Sequence, residues 1–197
     1  MVVTGMRNTR GVSVIAVAAM LLGSYGLSAF ANDGPKVMYH EMVGNATARD
    51  RYVADAWSRL EQLEAEQEEA VQVTVTLQRS VSPEDADKIV EELGLKLHAW
   101  EAMVGKGTVH RGTVGRISDD VADVIRRLQR DVDPNLTTND IRVVALFGTI
   151  DPSDAVRARK NEDVLSIDPT GDKRVSGKEK SRFAPHLFWT FADYYNR

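Results

Sequence analysis

The densest set of regularly spaced oxygen side chains lies between residues 168 and 179. Carboxylates and hydroxyls occupy the first, third, fifth, ninth and twelfth positions of this segment, on Asp168, Thr170, Asp172, Ser176 and Glu179. Hard oxygen ligands at this spacing allow one loop to surround Ca²⁺. The segment is therefore a candidate metal site with calcium as the candidate ion. A charged surface turn is the alternative interpretation.

The same segment resembles an EF-hand loop, and that resemblance implies a calcium-responsive binding module. It departs from the pattern at the sixth position, where Lys173 replaces the glycine that the sharp turn needs. Pro185 interrupts the helix that should follow, and residues 164–167, which precede the loop, have the composition of a strand at least as much as of a helix. These departures favour the surface turn, and no cofactor other than calcium is expected.

Two histidines are the other side chains whose positions suggest chemistry. A turn at residues 105–107 predicts a hairpin in which His98, Trp100 and His110 share one face of the sheet. The two histidines would then lie about 13 Å apart along the strands, too far to share a metal. An extracytoplasmic hydrolase that uses His98, His110 and Glu101 is the enzymatic alternative. The chain has no G-x-S-x-G, P-loop or H-E-x-x-H motif, so no catalytic residue is assigned.

Aromatic side chains are concentrated at the C-terminus. Residues 185–197, which we name the C-terminal segment, contain five of them. So much apolar surface is seldom left in water, so the segment is expected to pack onto the domain or to dock on a partner or a membrane surface. The candidate partner-binding residues are Trp57, Phe188, Trp189, Phe191, Tyr194 and Tyr195.

The N-terminus is typical of a secretory signal peptide. Arg7 and Arg10 precede an apolar run at residues 11–23, and the small-x-small sequence at residues 29–31 predicts cleavage between Ala31 and Asn32. An uncleaved anchor is the alternative, but a membrane-spanning helix needs about 20 apolar residues and this run is shorter. The mature protein is therefore expected to be secreted or extracytoplasmic, with the membrane as a partner only if the segment is retained.

Composition excludes several function classes. The chain has no cysteine, so disulfides, thiol catalysis and thiolate metal sites are excluded, and a cysteine-free exported protein is typical of bacteria. Loss of Arg7 and Arg10 with the signal peptide changes the formal net charge from −4 to −6. A mildly acidic protein is a poor ligand for nucleic acid, because binding requires neutralised phosphates.

Apolar periodicity predicts an α+β domain. A helix is expected over residues 46–70, which lack Gly and Pro, space apolar side chains on one stripe, and are acidic in their second half. Residues 71–78 alternate apolar and polar side chains, as a half-buried strand does. Further strands are predicted at residues 95–104, 108–117, 141–150 and 164–167, with helices beginning near Ser82, Ser118 and Asp151. The first of these helices should end at Gly94, and the second should be capped by Ser118, Asp119 and Asp120. The glycines at 105, 107, 112 and 115 are explained by a turn and a close-packed strand.

The order of these elements indicates the fold class. With residues 108–140 set aside as a hairpin-plus-helix insertion, two βα(β) units remain, which is the order of a ferredoxin-like antiparallel sandwich. The apolar pattern from Leu146 to Asp168 resembles the closing half of small inhibitor prodomains of secreted proteases, which implies the same architecture. The predicted organisation is a signal peptide (1–31), a leader with the acidic helix (32–70), the α/β sandwich (71–168), and a charged loop with the aromatic tail (169–197).

Binding is the function that these observations favour. We expect an exported, non-enzymatic domain that binds a protein partner through the acidic helix or the aromatic tail, as an inhibitor or a cell-surface regulator. The hydrolase and the calcium-responsive module are the alternatives.

Overall fold

The computed structural model describes residues 46–104, 108–113, 115–131, 133–181 and 183–184. The predicted signal peptide and the C-terminal segment lie outside this range. The helices are α1 (Ala46–Ala65), α2 (Pro83–Leu93), α3 (Ile117–Asp131), α4 (Pro152–Arg157) and α5 (Lys173–Ser176), with short 3₁₀ turns at Thr138–Asp140 and Ala158–Lys160. The strands are β1 (Val71–Val81), β2 (Lys96–Val104), β3 (Thr108–Thr113), β4 (Ile141–Ile150) and β5 (Val164–Asp168).

The five strands form one antiparallel sheet in the order β3-β2-β4-β1-β5. Because α1, α2, α3 and α4 supply helical structure beside this sheet, the α+β class expected from the sequence is confirmed. The central strand β4 pairs with both β1 and β2, so β1 and β2 run in the same direction on either side of it. β1 in turn lies between β4 and β5.

Alternation along β1 determines which side chains face the helices. The apolar residues predicted to share one face, Val71, Val73, Val75 and Leu77, are all buried in the main core cluster. Burial of each such side chain contributes about 1.5–3 kcal/mol. Trp57, Leu60 and Leu63 of α1 pack into the same cluster. The opposite face of the sheet, which we name the second face, carries the intervening residues of β1.

Helix α1 is shorter than the sequence predicts. The expected helix over 46–70 ends at Ala65, because Gln67 adopts a left-handed conformation with φ 56°. The Glu68 N–H then bonds to the Leu63 carbonyl at 3.1 Å, which closes the helix end. The chain turns there and enters β1 at Val71.

Helix α2 begins and ends where its sequence signals predict. The Ser82 side chain accepts the Asp85 N–H at 3.1 Å, and Pro83 is the first helical residue. Gly94 ends the helix with φ 62°, a conformation that glycine adopts without steric cost. These local signals are sufficient to position α2 between β1 and β2.

The hairpin has the predicted register, but the predicted grouping of side chains is wrong. Val104 pairs with Thr108, and Ala102 pairs with His110. Opposite β4, however, the register shifts between Leu97 and Ala99, which makes His98 an extra residue in β2. Such a bulge interrupts the alternation of side chains. His98 and Trp100 therefore do not share a face.

Trp100 occupies the helix side of the sheet, where its side chain is fully buried. Gly112 lies opposite it on β3, and a Cβ at that position would fall 2.0 Å from the indole ring. The indole N–H donates to Asp120 at 3.2 Å. The glycine is thus required by close packing, as the sequence suggests for a close-packed strand.

The first turn of α3 is capped by a residue from another helix. The Asp87 carboxylate of α2 accepts the Ile117 N–H at 2.7 Å and the Ser118 N–H at 3.2 Å. Its second oxygen also accepts the Ser118 hydroxyl at 2.5 Å, and the carboxylate is 6% exposed. The sequence predicts capping by Ser118, Asp119 and Asp120 themselves. The correction follows from tertiary packing, which brings a buried anion to the positive end of the α3 dipole.

Asp87→Ala should lower the free energy of unfolding by about 2–3 kcal/mol, because it leaves buried N–H groups of α3 without an acceptor. Urea unfolding followed by circular dichroism measures this loss. Glu91→Ala, at an exposed position on the same helix, is the matched control and should change stability by less than about 0.5 kcal/mol. Equal stability of the two variants would contradict the capping role.

Candidate functional site

The segment predicted to bind calcium forms a compact turn in which protein groups hold its carboxylates. Asp168 ends β5, and its side chain accepts the Tyr52 hydroxyl and, at 2.8 Å, the Thr170 N–H. Asp172 caps α5, a single helical turn that ends at Gly177. The segment therefore folds into a capped turn on the body of the domain.

Arg174 donates hydrogen bonds to both oxygens of the Asp172 carboxylate. Its guanidinium donates to the two oxygens at 3.0 Å each, and also to Glu68 at 3.1 Å. The same guanidinium donates to the Ala70 carbonyl at 2.9 Å, and the Gln72 N–H donates to Asp172 at 2.9 Å. Bidentate pairs of this kind are among the strongest hydrogen-bonded contacts in proteins. We name these two residues, Asp172 and Arg174, the clamp, because they join the chain after β5 to the start of β1.

The electrostatics of the clamp follow from this geometry. Burial alone would raise the pKa of Asp172, but the hydrogen bonds from Arg174 and the Gln72 N–H, together with the guanidinium charge, lower that pKa to about 2. The Asp172 carboxylate in turn raises the pKa of the Arg174 guanidinium. Both groups are therefore charged throughout the physiological range.

The predicted calcium ligands are distributed around this clamp. A metal ion at Asp172 would have to displace Arg174, and Glu179 is exposed. Within the described ranges, no three His, Asp or Glu side chains come together as a metal site. Calcium binding by Asp168, Thr170, Asp172, Ser176 and Glu179 stays a prediction.

Asp172→Asn should reduce stability at pH 7 by about 2 kcal/mol, because it removes charge-assisted hydrogen bonds. The substitution should also make the free energy of unfolding less dependent on pH in the acid range. An unfolded Asp titrates near pH 3.9, above the folded pKa of about 2, so the unfolded chain takes up the proton first and stability falls as the pH drops from about 5 to 2. Urea unfolding at intervals of pH measures the slope. Asp55→Asn, on the exposed side of α1, should keep the original slope, and equal slopes for the two variants would contradict the clamp.

A groove of about 390 Å³ lies between α1 and the edge strand β5. Its apolar lining consists of Val53, Ala54, Trp57 and Leu165, and its polar lining consists of Arg49, Asp50, Gln78 and Arg159. An apolar lining with a few polar groups around it is the usual composition of a binding site. The groove is therefore the candidate functional site.

A bulge in β5 provides one side of the groove. β5 pairs with β1 at Thr76 and Ser166, but the next pair joins Leu77 to Val164. Leu165, between Val164 and Ser166, is therefore an extra residue with no paired residue on β1. A bulge re-aims a side chain that regular alternation would place elsewhere. Leu165 is half-buried and lines the groove together with Trp57.

Ion pairs surround the apolar lining. Arg49 and Asp50 of α1 approach to 2.8 Å, and Arg159 approaches Glu61 to 2.9 Å. Because the side chains of both pairs are at least partly exposed to water, each pair contributes little to stability.

The residues predicted to bind a partner have different positions. Trp57 lies in the groove, yet its side chain is only 5% exposed and packs in the core, so it forms the floor. Phe188, Trp189, Phe191, Tyr194 and Tyr195 lie outside the described residues. Sequence reasoning missed Leu165 and Arg159, because neither a bulge nor the approach of distant segments has a local signal.

Two side chains of the hydrolase hypothesis, His98 and Glu101, are not part of this groove. His98 is half-buried and stacks edge-on against Phe183, with ring centroids 5.9 Å apart. Glu101 is 6% exposed on the second face, opposite Ala145 of β4. His110 pairs with Ala102 in the sheet. Neither His98 nor Glu101 lines the groove.

Comparison with known proteins gives no relative. No protein-family model, curated protein or solved structure matches the chain. None of the helices in the described part of the chain combines the length and apolar character needed to cross a bilayer. The function must therefore be argued from the residues of this chain alone.

Proposed function

We propose that this protein is an exported, non-enzymatic binding or regulatory domain that acts on a protein partner. The observation that carries the proposal is the groove between α1 and β5, with its apolar floor and charged rim. At its rim Arg49 is paired with Asp50, and Arg159 is paired with Glu61, an arrangement suited to recognition. Export is supported by the predicted signal peptide, cleaved after Ala31.

The ligand we propose is an extended peptide segment of the partner. Among the described strands, β5 is the last at its side of the sheet, so an added strand beside it would continue the sheet. Main-chain hydrogen bonds then supply affinity, and pockets for alternate side chains supply specificity. Val53, Trp57 and Leu165 would receive an apolar side chain of the peptide, while Arg159 and Asp50 would contact its charged groups.

We further propose that the sheet is a ferredoxin-like core with one added strand. With β3 set aside, the strand order reads β2-β4-β1-β5. Each pair of strands joined through a helix, β1 with β2 and β4 with β5, then flanks one antiparallel strand, as split βαβ units require. In this interpretation β3 and α3 form the hairpin-plus-helix insertion predicted over residues 108–140, and β5 is left at the edge.

Photo-crosslinking in the exported fraction of the producing cell tests the site. A photoreactive residue at Ala54 or at Leu165 should give an adduct with the same partner, because both positions line one groove. The matched control is Arg126, an exposed residue of α3 that lies outside the groove. It should give no such adduct. Absence of adducts at both groove positions, or equal adducts at Arg126, would contradict the proposal.

Leu165→Arg should weaken binding of the crosslinked partner by tenfold or more, about 1.4 kcal/mol, because it places a charge on the apolar lining. The half-buried position of Leu165 on a bulged edge strand should allow the fold to persist. Titration calorimetry with the purified partner measures the affinity. Arg126→Glu is the control and should leave the affinity unchanged. Unchanged affinity in Leu165→Arg would exclude the groove as the contact.

N-terminal sequencing of the exported protein tests the proposed route. We expect the mature chain to begin at Asn32, because signal peptidase would cut after the small residue Ala31. A protein that retains Met1 in the membrane fraction would show an uncleaved anchor and would contradict the proposed cleavage.

A further inference from the structure

The second face of the sheet is buried although no strand residue on it packs with the main helical core. Two rows of side chains cross it in register. One row runs Asp168, Thr74, Phe147, Ala99, and the next runs Ser166, Thr76, Ala145, Glu101. The exposed fraction of each is 9% or less. The Tyr52 hydroxyl of α1 reaches Asp168 at the edge of this face, but the burial of both rows requires a further cover.

The two rows have a distinct chemistry. The β4 and β2 side is apolar apart from the Glu101 carboxylate, with Phe147 and the neighbouring alanines forming a second cluster. The β1 and β5 side carries hydroxyls, and the Ser166 hydroxyl has no hydrogen-bond partner among the described residues although Ser166 is 0% exposed. A buried hydroxyl without a partner costs about 1–3 kcal/mol. The face therefore fits a cover that is aromatic and also offers hydrogen-bonding groups.

The chain itself leads onto this face. After the clamp, the Lys173 N–H bonds to the Ser181 side chain at 2.9 Å, which folds the chain back toward the sheet. Phe183 then stacks edge-on against Phe147, with ring centroids 5.5 Å apart. The Thr74 hydroxyl donates to the Ala184 carbonyl at 2.5 Å, and Ala184 is buried. The last two described residues before Pro185 thus lie on the second face.

We propose that the C-terminal segment, residues 185–197, covers the second face of its own sheet. Thirteen extended residues reach about 40 Å, whereas five strands spaced about 4.8 Å apart span about 20 Å, so the segment is long enough. Its five aromatic rings cover apolar area efficiently, and its Trp and Tyr side chains bring an N–H and hydroxyls that can meet buried polar groups. The segment thus combines the two properties that the face requires.

This assignment has a consequence for partner binding. The five aromatic residues of the C-terminal segment, expected from the sequence to contact a partner, belong instead to the interior of the domain. The groove between α1 and β5 is then the surface left for the partner. Since the covering segment is tested without any partner, failure of this inference and failure of the proposed function are separate results.

Hydroxyl-radical footprinting of the mature chain tests the cover, because exposed aromatic side chains react rapidly. Trp189, Tyr194 and Tyr195 should react at least fivefold more slowly in the chain than in a synthetic peptide of residues 185–197. Rates equal to those of the peptide would overturn the inference. Slow rates that increase on dilution of the protein would show that a second copy supplies the cover and would overturn it as well.

Variants of the second face locate the cover. Ala145→Asp places a charge beneath the proposed position of the segment and should increase severalfold the rates at which the aromatic residues of the segment react with hydroxyl radicals. Trp100, on the helix side, should stay unreactive and so report an intact fold. If Trp100 becomes reactive in Ala145→Asp, the variant Thr149→Lys, at the half-buried border of the same face, is measured in its place. Arg126→Glu, on the exposed side of α3, should change nothing. Tail rates that stay slow in a folded second-face variant would place the segment elsewhere and overturn the proposal.

Discussion

A five-stranded sheet has two faces, and in this protein the four longer helices leave one of them to be covered by other means. The side that faces the helices is filled by the apolar residues of β1, β2 and β4 and by Trp57 and Leu60 of α1. The second face is nearly as well buried, but with hydroxyls, two carboxylates and an aromatic ring. Burial of polar groups is tolerated only where partners satisfy them. The need to cover this mixed face governs how the chain is arranged after β5.

The clamp fixes the direction that the chain takes after β5. Asp172 and Arg174 fix the chain to Glu68, Ala70 and Gln72 directly after β5 ends. From there the chain returns to the second face, where Phe183 lies against Phe147. The Tyr52 hydroxyl, bonded to Asp168, joins α1 to the same end of β5. One cluster of charged and polar contacts thus holds the start of the cover and one wall of the groove.

The parts of the fold that could be read from the sequence are those with local causes. Alternation in β1 and the Ser82 and Gly94 caps of α2 depend on neighbouring residues, and the structure has them where they are expected. The bulges at His98 and Leu165 arise from pairing with β4 and β1, so they leave no periodic signal in their own strands.

The same distinction explains what was missed at the candidate site. Asp87 caps a helix that begins 30 residues later in the chain, and its local pattern is that of an ordinary helix residue. Arg174 is not singled out by the sequence pattern, whereas in the fold it joins Asp172 to Glu68 and Ala70. Contacts between residues distant in sequence decide the roles of both residues, and a single sequence does not encode those contacts in a local pattern.

The claim that the chain closes its own second face can be tested most directly by nuclear Overhauser contacts. In a sample with labelled alanine methyl groups, those of Ala99 and Ala145 lie on this face, and that of Ala86 lies in the helical core as a control. The account predicts contacts from Ala99 and Ala145 to ring protons of residues 188–195, and none from Ala86. Contacts from Ala99 and Ala145 only to Phe147 and Phe183 would contradict it.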